Sequence, residues 1–157
     1  MQNTKSPTIQ NLEAAFAGES MAHIKYLWFA RQCRKAGDEA TAKVFEDTAA
    51  QEILHAFGHA ELLFSSDTMT PAKCLQYAID GETYEYTEMY PKFRHEAMLE
   101  GHDAAVAEID EQIVESKEHA ERFRSVLEKA AKRFAALARV EEKHAQHYRA
   151  QKDAIAA

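Results

Sequence analysis

The sequence has only two cysteines, Cys33 and Cys74, and they stand far apart with no Cys-x-x-Cys pair. That spacing suggests neither a disulfide framework nor a zinc or iron–thiolate site, so a reducing, cytoplasmic compartment is expected. Apolar runs are short. None approaches the ~20 residues that a membrane span needs, and the start, Met1-Gln-Asn-Thr-Lys-Ser-Pro7, has no apolar signal region. Glycine and proline are scarce, five and three in 157 residues, too few for a turn-rich fold. No strongly basic stretch stands out either. The net charge is −7 with acids and bases mixed along the chain, which argues against nucleic acid as a partner. What is present is apolar sequence, 46% of the residues, enough for the core of one mostly helical domain.

Four helical segments are legible. Ser6-Pro7 is a cap and first-turn pair, and from there an apolar stripe runs Ile9, Leu12, Phe16, Glu19, His23, Tyr26, Ala30, Cys33 to Gly37. Asp38 can cap a second helix that carries Phe45, Thr48, Glu52, His55 and Leu62 to about Phe64. Ser65-Ser-Asp-Thr68 reads as a linker. Thr70-Pro71 opens a third helix running to Gly101, with a kink expected at Pro91. Asp103 can cap the fourth, which meets no further Gly or Pro.

Carboxylates sit on these stripes where hydrocarbon is expected. Glu82 and Glu85 share a face with Leu75, Ala78 and Met89, while Glu52 and His55 share one with Phe45 and Thr48. No Lys or Arg lies on those stripes, and an unpaired buried carboxylate is too costly to keep. Metal ions would supply the missing charge. Glu19 lies 18 residues before Gly37, and Glu52 and His55 lie 15 and 18 after it. Glu82 and Glu85 lie 19 and 16 before Gly101, and Glu115 and His119 lie 14 and 18 after it. At ~1.5 Å per residue every group is about 21–29 Å from its own turn. Two antiparallel hairpins would bring them to one level of a four-helix bundle. Five carboxylates and two imidazoles suit a pair of iron or manganese ions and disfavour structural zinc. The bland reading is that a lone Glu-x-x-His is common in acidic helices. His23, His59, His95, His102 and His147 read as surface or satisfied core histidines.

Phe16-Ala-Gly-Glu-Ser20, Gln51-Glu-Ile-Leu-His55 and above all Gly81-Glu-Thr-Tyr-Glu-Tyr-Thr-Glu-Met-Tyr-Pro91 resemble the motifs of rubrerythrins. The resemblance covers about residues 8–123. It implies a ferritin-like antiparallel four-helix bundle over residues 1–126, with a helical extension over 127–157 that is either swapped or continuous with the fourth helix. It also implies a non-haem di-iron peroxidase, cytoplasmic and dimeric, that reduces hydrogen peroxide to water. Its two irons (Fe2+/Fe3+) would be oxo- or hydroxo-bridged when oxidised. Glu19, Glu52, His55, Glu82 and Glu85 carry over as ligands, His55 and Glu85 exchanging on reduction, with Tyr26 and Tyr90 beside the site. The family's rubredoxin-like module has no counterpart here, so electrons are expected from a separate rubredoxin-type or flavin reductase. A ferroxidase or an iron-storage protein is the rival reading. The fourth helix departs from the pattern. Spacing places its histidine at His119, but Ser116 stands at the glutamate position and Glu115 one residue early, a shift that a local bulge could correct. The stretch Phe134–Tyr148, with Glu141 and His144, matches the family pattern better. On a continuous helix, though, that pair would lie ~37 Å beyond His119. It would serve the site only if the tail folded back or reached a partner by domain swapping.

Overall fold

The computed structural model describes residues 6–156, and among them all regular structure is helical, with no strand. The amino-terminal residues 1–5, read above as carrying no signal region, lie outside the described residues. The chain divides between Met69 and Thr70 into two compact units.

The first unit is a hairpin of α1 (Pro7–Lys35) and α2 (Glu39–Leu63). The Ser6 hydroxyl accepts from the Ile9 N–H at 3.3 Å, and the Asp38 carboxylate accepts from the Thr41 N–H at 2.9 Å. Both caps satisfy donors that a helix start leaves orphaned. Gly37 between them adopts φ 82°, a left-handed turn that side chains disfavour. The seam between the helices is alanine. Ala42, Ala49 and Ala56 recur every seventh residue of α2 and are buried, as is Ala30 on α1. Such small residues let two helix backbones approach closely. Beside the seam, Tyr26, Phe29 and Phe45 form a ring cluster with centroids 5.4–6.3 Å apart. At the open edge, Arg34 donates to both oxygens of Glu46, at 2.5 and 2.7 Å.

The second unit comprises α3 (Pro71–Tyr84), a π turn (Glu85–Met89), α4 (Tyr90–Glu100) and α5 (Asp103–Ala156). Thr70 caps α3 through the Lys73 N–H. The expected interruption at Pro91 takes the form of the π turn just ahead of it. Pro91 has no N–H to give the carbonyl one turn back, and the ladder widens there, Tyr90 N–H reaching back to Glu85 O. Gly101, φ 73°, reverses the chain, and α3, the π turn and α4 all pack along α5. Arg94 of α4 holds Asp110 of α5 through two hydrogen bonds, 2.5 and 3.1 Å. Two expectations need correcting. Asp103 is the first residue of α5 rather than its cap, and the His102 carbonyl accepts from Val106 at the boundary. The fourth helix has no bulge: α5 runs 54 residues unbroken past position 126, and the wide turn falls in the third helical segment instead. No described helix is long and apolar enough to cross a membrane.

Candidate metal centre

In the first unit, Glu19 of α1 and Glu52 and His55 of α2 converge. One donor atom from each lies within 4.8 Å of the others. Glu19 faces α2 because it falls on the Phe16–His23–Tyr26 stripe, and Glu52 follows the buried Ala49 by one turn. His55 Nδ1 is 2.9 Å from Glu52 Oε2 and 3.9 Å from Glu19 Oε2, so Nδ1 is the nitrogen aimed at the shared point. A hydrogen bond from Glu19, then the hydrogen bond and charge of His55, hold the Glu52 carboxyl below the usual carboxylate range. Two carboxylates this close repel unless a proton or a cation lies between them. One turn on, His23 is satisfied by the Ala49 carbonyl at 2.8 Å, so its Nδ1 carries the proton and the ring serves the hairpin.

In the second unit, Glu82 of α3 and His119 of α5 face each other, with Oε1 3.4 Å from Nδ1. The other oxygen, Glu82 Oε2, is buried and has no hydrogen-bond partner among the described residues. An orphaned acceptor of this kind fits a cation. Glu85, at the mouth of the π turn, accepts from the Ser116 hydroxyl at 3.0 Å. Tyr90 is half-buried, and its phenol is pushed up by burial first and then by the charges of Glu85, Glu82 and Glu108. The phenol therefore keeps its proton well above neutral pH.

The other candidates lie elsewhere. Glu115 sits on the exposed side of α5, where it lines a shallow groove with Asp110, Glu111, Val114 and Glu118. Ser116, rather than Glu115, meets Glu85. Glu141 and His144 pair at 4.0 Å on an exposed stretch of α5. Tyr26 lies two turns along α1 from Glu19, within the ring cluster. Among the polar contacts not foreseen, two lie in the second unit near Glu82 and Glu85: Ser116 to Glu85, and Arg124 to Thr83 at 2.8 Å. The first had a signal, a serine where a glutamate was expected. The second had none, since its partners are 41 positions apart.

Donors of this kind, carboxylate oxygens with a few imidazole nitrogens, fit iron or manganese. Comparison with known proteins agrees. The rubrerythrin family profile matches residues 10–127. Nigerythrin of Nitratidesulfovibrio vulgaris is 38% identical over 128 residues, which cover 74% of this chain and 63% of that protein. The rubrerythrin of Porphyromonas gingivalis is 35% identical over 133 residues, 78% of this chain and 66% of the relative. The chain thus spans about two thirds of the length of these relatives. A solved structure of fully reduced, all-ferrous nigerythrin aligns at 31% identity and a TM-score of 0.40, covering 83% of this chain and 70% of that one. The chain belongs to the rubrerythrin family, whose members are di-iron oxidoreductases.

Proposed function

We propose that the chain is a non-haem di-iron peroxidase that reduces hydrogen peroxide to water, with electrons from a rubredoxin-type or flavin-containing reductase. The observation that carries it is the buried, unpartnered Glu82 Oε2 beside His119. An anionic oxygen withheld from both water and hydrogen-bond donors calls for a cation.

Glu19, Glu52, Glu82 and Glu85 would hold the metal ions through carboxylate oxygens, and His119 through a ring nitrogen. His55 would be the alternate nitrogen donor, beside Glu19 and Glu52. Four carboxylates balance two divalent cations, so the ferrous pair is held without surplus charge. The iron pair, when bound, supplies two electrons for cleaving the O–O bond of peroxide. The chain's own part is positional. Glu52 stays ionised at neutral pH and presents its oxygens together with Glu19, while Tyr90 retains a phenolic proton at the edge of the site. Manganese would accept the same donors.

Stopped-flow mixing of the anaerobically reduced protein with peroxide, and separately with oxygen, tests the assignment. A fast, stoichiometric oxidation by peroxide and a slow one by oxygen is expected. The reverse order would assign a ferroxidase, and loading far above two irons per chain would assign storage.

A further inference from the structure

Measured from their turn glycines, the two hairpins carry the same offsets. Glu52 and His55 lie 15 and 18 residues after Gly37, and Ser116 and His119 lie 15 and 18 after Gly101. Both glycines adopt the same left-handed conformation, φ 82° and 73°. Ser116 therefore occupies in the second hairpin the place that the carboxylate of Glu52 occupies in the first. It is only 4% exposed, the one polar side chain among the buried residues described. Its hydroxyl donates to Glu85 Oε2 at 3.0 Å. Glu85 in turn begins the π turn, an irregularity that re-aims side chains within a helix.

We propose that Ser116 is a positioning residue for Glu85, an inference that rests on the metal-centre reading above. Its hydroxyl holds Oε2 and leaves Oε1 as the free coordinating oxygen, so Glu85 reaches a cation through one oxygen rather than two. A serine is short enough to be buried here without adding charge. Its hydrogen bond to a carboxylate is of the stronger, charge-assisted kind.

The test is cobalt(II) titration of the full-length apoprotein, followed by competition with a chelator and by the visible ligand-field spectrum. Unaltered protein, Ser116→Ala, Ser116→Thr and Glu85→Gln are compared, along with the Ser116→Ala/Glu85→Gln double variant. Ser116→Ala is expected to weaken cobalt binding about tenfold, the scale of one hydrogen bond to a charged group, and to change the spectrum. Ser116→Thr keeps the hydroxyl and should restore both. In the Glu85→Gln background the alanine change should add little, as coupled positions require. If the unaltered protein binds two cobalt ions while Ser116→Ala matches it in affinity and spectrum, the positioning role is overturned and the metal centre stands. An undiminished effect of Ser116→Ala in the Glu85→Gln background overturns it as well. Failure of the unaltered protein to bind paired cobalt overturns the metal centre and this role together.

Discussion

Glu52 touches both Glu19 and His55, and its carboxyl is drawn down by them. Removing it leaves Glu19 facing an imidazole across a gap. Glu52→Ala is therefore expected to lower bound iron from two per chain to one or fewer, read by elemental analysis, and two tightly held irons would refute the assignment. Charges remote from the centre govern acid stability. Glu46 is lowered chiefly by its hydrogen bond from Arg34, and Asp110 by that from Arg94. Each is depressed in the folded chain relative to the usual values of 4.5 and 3.8. The unfolded chain therefore takes up protons first as the pH falls. The contribution to stability is complete above those usual values and disappears as the pH drops through the folded ones. Thermal melts between pH 7 and pH 3 should show Tm declining below about pH 4.5. A Glu46→Gln/Asp110→Asn variant should begin with a lower Tm and show a shallower decline. Parallel curves would exclude these pairs as the cause.

The helices were largely legible in the sequence because their punctuation is chemical. Ser6, Asp38 and Thr70 cap as short oxygen-bearing side chains do, and Gly37 and Gly101 turn as only glycine does easily. Glu19, Glu52 and His55 were legible too, since spacing of three and four on a helix fixes which side chains share a face. The fourth segment was less so. Choosing between Ser116 and Glu115 depends on about 100° of rotation, which periodicity resolves poorly on a helix with few large apolar residues. Nor does a sequence pattern say where a helix will widen. The π turn depends on how Pro91's missing N–H is absorbed locally, and it fell ahead of that residue. Along α5, residues 131–154 are all exposed, and His144 lies ~37 Å past His119 on the same rod. A Glu141→Ala/His144→Ala variant should retain two metal ions per chain in the same elemental assay. Loss of one would show that the tail supplies ligands.

Met21, Ile24 and Trp28 follow one another at steps of three and four on α1, all more than half exposed. They lie about 180° around the helix from the Glu19–Tyr26 face. An aligned apolar stripe of this kind suits contact with another protein surface, and a second copy of the chain is the proposed occupant. Sedimentation velocity should find a dimer that Trp28→Glu converts toward monomer, whereas a wild-type monomer would sink the proposal. The first hairpin closes on Ala42, Ala49 and Ala56, with the rings of Tyr26, Phe29 and Phe45 beside them. Alanine has no rotamers to freeze, so the closure costs little order, but it leaves no slack. In the proposed centre, the distance between Glu19 and Glu52 follows from how closely α1 and α2 approach along that alanine seam.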